Sequence, residues 1–299
     1  MDNVKTTKKL NQNKAFSLIE LSIVILIIGI LVAGVTSSSR LVKRMKLVTA
    51  QNITNTSPIL TIKDLVLWYE TTLERSFIDT EEQDNSDLSF WYDNNIQTTN
   101  KINAYAPAVA NRPKFIENGI NGLPVVRLGG GDDYLRVDSP GLNGPQMSYF
   151  IVARRISIVN ESSILCGMAS GFIHDFDNEG SFLAYYEWNG SQMGVYRAGP
   201  KSNITPHPGN SVPFIVSSIF NGSNNVAYLN GNPYPLVAST GNFNVSTLYI
   251  GPRYVNNYPN TFYNGDIAEI IFFNRALNTE ERKAIEMYLS KKFAIKITS

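Results

Sequence analysis

Apolar positions along this chain follow two different periods. From Phe16 to Val35 they run almost unbroken: fifteen of twenty residues are apolar, the others being Ser17, Glu20, Ser22, Gly29 and Gly34. As a helix rising about 1.5 Å per residue, the run measures about 30 Å, the thickness of a bilayer's hydrocarbon core. It contains no proline and exceeds the roughly 7 to 15 apolar residues of a secretory signal peptide, so it predicts a transmembrane helix over 16–35. Beyond it, Leu41, Val42, Met45 and Val48 recur at helical spacing among Arg40, Lys43, Arg44 and Lys46, which extends the expected helix to about Ile53. Residues 54–62 are mainly polar, include Pro58, and read as a linker.

From Lys63 onward the period shortens. Leu65–Tyr69, Val125–Leu128, Tyr149–Ala153, Phe182–Trp188, Phe214–Phe220, Val226–Leu229, Leu248–Ile250 and Ile267–Phe273 read as strands. Asn121-Gly122, Asn189-Gly190, Asn221-Gly222 and Asn230-Gly231 supply the dipeptide that most readily takes positive φ in tight turns. Many short strands with such turns predict a mainly β domain, a sandwich or barrel, over 63–299. One helix closes it: Asn278 can cap with Glu281 three residues on, and Ala284, Ile285, Tyr288, Leu289 and Phe293 form an apolar stripe for docking on the sheets.

Charge divides the same way. Residues 1–63 carry nine Lys/Arg against two acids, whereas 64–299 carry seventeen against twenty-three, so the overall +1 hides a basic membrane-proximal part and an acidic globular part. A globular part without a basic surplus argues against nucleic acid as a partner. Lysines precede the span and basic residues follow it, so charge alone leaves orientation open. Cys166 is the only cysteine, which excludes an intramolecular disulfide; in SSILCGM it reads as a small core residue. Glu20 is an acid inside an apolar run, a cost of about 3 kcal/mol if unpaired. It lies one turn from the run's start, so snorkelling and a functional pairing both remain open.

A lysine-bearing polar leader, a small residue, then Phe with Glu four positions on resembles the N-terminal signal of type IV prepilins and type II secretion pseudopilins. The resemblance implies cleavage by a prepilin peptidase between Ala15 and Phe16 and N-methylation of Phe16. It also implies a single pass through the bacterial inner membrane with the N-terminus cytoplasmic, and assembly with other pilin or pseudopilin subunits, in which Glu20 answers a neighbour's positive terminus. Ala15 stands where that family usually has glycine.

Three further segments, DLVLWYE (64–70), NRPKFIENGINGLPVVRLGGGDDYLRV (111–137) and GDIAEIIFFNRALNTEERKAIEMYLSKKF (265–293), resemble laminin-G-like, concanavalin A-like jelly-roll modules. This second resemblance implies a two-sheet sandwich that binds carbohydrate or protein, in some members with calcium, and is not an enzyme. Asp132 and Asp133 are the candidate calcium oxygens, although GGGDD reads first as a turn and lacks the spacing of a calcium loop. HDFDNE (174–179) reads as a solvated loop. Sugar recognition needs aromatic faces beside amides and carboxylates, and two stretches qualify: Tyr185, Tyr186, Glu187 and Trp188, and Tyr254, Asn256, Asn257 and Tyr258. Core or cross-strand pairing is the plain alternative for both. No strand shows the closely spaced acids of a glycosidase. The expectation is therefore a minor or tip pilin-like subunit displaying a lectin-like domain; the alternatives are a static membrane-anchored binding protein and a tethered glycan-active enzyme.

Overall fold

The computed structural model describes residues 18–176, 180–188, 192–197, 201–204, 207–239 and 241–298. The first helix, α1, covers Leu18–Asn55. Among the described residues no helix is long and apolar enough to cross a membrane, the described side chains of the apolar run extending without a break only from Leu18 to Val32. The chain divides into two compact units, Met1–Met45 and Lys46–Ser299, so the last turns of α1 belong to the globular unit.

That unit is a sandwich with helices on one face. The first sheet is centred on Asn264–Phe273, which pairs along its length with Gln146–Arg155. On its other side, the first half meets Val125–Gly129 and the second half meets Leu65–Glu70. The sheet continues from Gln146–Arg155 through Pro213–Asn221 and Val226–Leu229 to Asn232–Pro235. In the second sheet the order is Lys201–Ile204, Gln192–Tyr196, Phe182–Trp188, Ser163–Ala169, Phe243–Ile250, Leu135–Asp138, Ala104–Tyr105 and Phe90–Trp91.

Alternation along the central strand, reset once by a bulge between Ile267 and Glu269, decides what goes where. Ile267, Ile270 and Phe272 face the core between the sheets, with Leu67, Tyr149, Phe182 and Leu248. Ala268, Ile271 and Phe273 face the opposite way, beneath α2 (Thr279–Phe293) and with Ala50 of α1. A strand buried on both faces reads as a nearly continuous apolar run, which is why IAEIIFF is legible. The two acids within that strand are both paired: Asp266 with Arg127 at 2.7 Å and with Arg154, and Glu269 with Lys292 at 2.9 Å.

Three expectations need correction. Residues 54–62 are packed rather than linking: Thr54, Ser57, Ile59 and Ile62 are buried, and 58–60 form a 3-10 turn. Ala284 of the apolar stripe is exposed, and the buried side of α2 also takes in Arg282, Glu286 and Lys292. Asp175 of HDFDNE is buried against Arg253 rather than solvated, while 177–179 lie outside the described residues. The capping box of Asn278 and Glu281 forms as the spacing predicts.

Candidate functional site

The two aromatic stretches separate. In Phe182–Trp188 the pairing with Gln192–Tyr196 shifts between Leu183 and Tyr186, and Tyr185 takes φ 55°. This bulge turns Ala184 and Tyr185 both inward, so Tyr185 is fully buried in the inter-sheet core and stacks on Phe214 at 4.8 Å. Glu187 is also buried, in an ion pair with Arg155, and burial raises its carboxyl to about 7 against the pull of that arginine. Tyr186 packs on the sheet's outer side with Cys166 and Leu183. These three residues are structural rather than an exposed sugar platform; the Trp188 side chain lies outside the described residues.

The second stretch builds a surface feature. Arg253–Val255 and Tyr258–Asn260 form a hairpin whose turn residues, Asn256 and Asn257, both have positive φ, 56° and 72°. A two-residue turn of this kind matches strand twist, and asparagine tolerates it better than any other residue with a Cβ except aspartate. The Asp175 carboxylate anchors the hairpin. It accepts from Arg253 Nη2 at 2.7 Å, Arg253 Nε at 3.0 Å and the Tyr254 amide at 2.9 Å. The Asn257 amide donates to the Ile173 carbonyl, and the Asn256 amide to His174 Nδ1, both at 3.1 Å.

Between this hairpin and the 170–173 turn lies a cleft of about 430 Å³. Met168, Ser246, Thr247 and Tyr249 are its floor, Phe172 and Ile173 one wall, and Tyr254 and Asn257 the other. Tyr254 stacks on Tyr249 at 5.1 Å and 21°, and its hydroxyl donates to the Asn257 carbonyl at 2.9 Å. Burial keeps the Tyr249 phenol well above its ordinary pKa, so it stays a neutral donor. Among the described residues no charged side chain lines the cleft. Tyr258 stands at the exposed tip of the hairpin. Tyr254 and Asn257, two of the residues singled out in the sequence, line this cleft; the floor residues Thr247 and Tyr249 are not among those singled out, because only strand order places them there.

The remaining candidates lie apart from the cleft. Asp133 accepts from the Gly129 amide at 2.7 Å, closing the GGGDD turn, and Asp132 is exposed beside it. Among the described residues no group of three or more His, Cys, Asp or Glu is placed to hold a metal. Cys166 is buried, and burial beside Asp175 raises its thiol well above the ordinary value, which suits a core residue. Glu20 lies in the first turn of α1; Ala15 and Phe16 lie outside the described residues.

Residues 10–36 match the prokaryotic N-terminal methylation motif, so the chain joins a prepilin-type N-terminal motif to a β-sandwich. No curated protein matches the chain. Among solved structures, a mutant of Trypanosoma rangeli sialidase displaying trans-sialidase activity is similar at 14% identity and a TM-score of 0.52, over 84% of this chain and 38% of that one. Domain 4 of AbnA, a GH43 extracellular arabinanase from Geobacillus stearothermophilus, in complex with arabinotriose, has 12% identity and a TM-score of 0.47, over 75% of this chain and 98% of that one. The chain spans 33 to 38% of the length of the sialidases it matches. At these identities the likeness is one of fold.

Proposed function

We propose that the protein is a pilin-like or pseudopilin-like minor or tip subunit that displays its sandwich as a binding module and is not itself an enzyme. The observation that carries this reading is the methylation motif at 10–36, set on a helix that runs without interruption to Asn55 and ends inside the globular unit. In this reading a prepilin peptidase cuts between Ala15 and Phe16 and methylates Phe16, and residues 16–35 hold the protein in the inner membrane with the sandwich in the periplasm. An apolar run of twenty residues is long enough for that span. Glu20 then pairs with the terminus of a neighbouring subunit, which offsets the cost of an acid at that depth. A globular unit of some 250 residues would crowd a close-packed fibre, which favours a minor or tip position in a pilus or secretion pseudopilus.

The test is the intact mass and N-terminal sequence of the protein taken from its native membrane. A chain beginning with N-methylated Phe16 is expected. One that keeps Met1 to Ala15 would leave a static anchor and remove the assembly reading. Glu20→Ala should then insert normally yet be absent from sheared filaments.

A further inference from the structure

The outer face of the second sheet carries a row of side chains that cross-strand register lines up. Phe90 lies opposite Tyr105, Tyr105 opposite Arg136, Arg136 opposite Tyr249, and Tyr249 opposite Cys166. Directly opposed residues of antiparallel strands share a face. Their neighbours Leu135, Val137, Leu248 and Ile250 point into the inter-sheet core, so this row points outward.

From Tyr249 onward the face is covered: Tyr249 is buried, Cys166 and Leu183 fully so, with Tyr254 of the hairpin packed against their cluster. Toward Phe90 the face is open. Phe90 is 38% exposed, and Tyr105 and Arg136 are partly exposed. From Phe90 to Tyr249 is three strand steps, about 14 Å at roughly 4.8 Å each. The cleft walled by Tyr254 lies at the inner end, since its floor residue Thr247 pairs with Asp138 in the next row. In the middle, Arg136 Nε donates to Asp138 Oδ1 at 2.7 Å and the Tyr105 hydroxyl to Asp138 Oδ2 at 2.7 Å. The two charges cancel, and none of the described residues lining the cleft adds another.

We propose that the open strip from Phe90 to Arg136, continued by the cleft beside Tyr254, is a platform for an extended, uncharged glycan chain that lies across the strands with one end in the cleft. The inference rests on the reading of the sandwich as a displayed binding module. A sugar ring has an apolar C–H face and an edge of hydroxyls that both donate and accept. Half-exposed aromatic rings receive the first, and fixed hydroxyl, amide and guanidinium groups receive the second. An anionic glycan would meet an arginine already neutralised by Asp138. A protein partner would gain most from a contiguous apolar centre, whereas here a hydrogen-bonded Tyr–Asp–Arg set interrupts the aromatics. The span from Phe90 to the cleft exceeds a single sugar ring, so the platform selects chain over terminus.

The experiment titrates the full chain, in a detergent without a sugar headgroup, with gluco-, xylo-, manno- and arabino-oligosaccharides of increasing length, and with sialyllactose and oligogalacturonate. Affinity should rise with length for at least one neutral series and change little with salt. Phe90→Ala and Tyr254→Ala should each weaken it about tenfold while the chain still melts in one cooperative transition. Binding of none of the neutral series, preference for the anionic probes, equal affinity for monosaccharide and oligomer, or indifference to both variants would each overturn the platform. The N-terminal mass of the same preparation reports processing. A processed chain that fails to bind therefore sinks the platform alone, and an unprocessed chain that binds sinks the assembly reading alone.

Discussion

His207 shows how one side chain ties stability to pH. The Gly209 amide donates to its Nδ1 at 2.8 Å, which assigns the ring proton to Nε2, and Nε2 faces the Tyr185 hydroxyl. Burial, with Arg155 nearby, lowers the imidazole from 6.5 to about 4. A base depressed on folding contributes stability that is complete above its unfolded pKa and is lost as pH falls toward the folded one. Denaturation midpoints should therefore decline between about 6.5 and about 4, and His207→Gln should flatten part of that decline. An identical pH profile in the variant would refute the assignment. Tyr185, its partner, illustrates what the sequence hides at this scale: strict alternation cannot place both Ala184 and Tyr185 on one face, and a single bulge changes the reading of Tyr185, Tyr186 and Glu187.

At the scale of elements, a buried ionic cluster joins four segments. Lys292 of α2 lies 2.9 Å from both Glu70 and Glu269, and all three side chains are fully buried. Tyr288 donates to Glu269 at 2.9 Å and lies 3.4 Å from Thr54 near the end of α1. Burial alone would raise Glu70, yet Lys292, Ser76 and Thr72 hold it well below the ordinary carboxylate range; Glu269 is raised, by burial first and by Glu70 beside it, against the pull of Lys292. Removing the shared cation strands two acids, so Lys292→Met should cost about 3 to 5 kcal/mol in urea denaturation. A loss below about 1 kcal/mol would mean that the cluster relaxes or is hydrated. The cap and stripe of α2 were legible because they depend on local spacing. Lys292 was not, because a lysine in a last turn normally faces water and only the packed sheet shows that it points under the helix.

For the whole molecule, the domain boundary is a testable claim. The globular unit starts at Lys46, and Ala50, Thr54, Ile59 and Ile62 are part of its packing. A fragment 46–299 should melt as the full chain's sandwich does, whereas 63–299 should lose about 3 to 6 kcal/mol, the burial of Ile59 and Ile62 with smaller groups. Equal stability of the two would return 54–62 to the status of a linker. The long strands were readable because each buries a full face; the two-residue strands at Phe90 and Ala104, which open the proposed platform, carry no period at all.

The central strand also sets when the sandwich can close. Trp68 and Glu269, bonded at 2.8 Å, lie 201 residues apart, so their strands pair only after the chain between them has been made. Contacts so distant in sequence make folding slow, because the chain must close long loops before the pairing rewards it. During synthesis, Leu65–Glu70 waits as an unpaired apolar strand until Asn264–Phe273 has emerged. The sandwich therefore cannot close until residue 273 has been made, and until then its apolar strands are open to pairing with other chains, a state prone to aggregate.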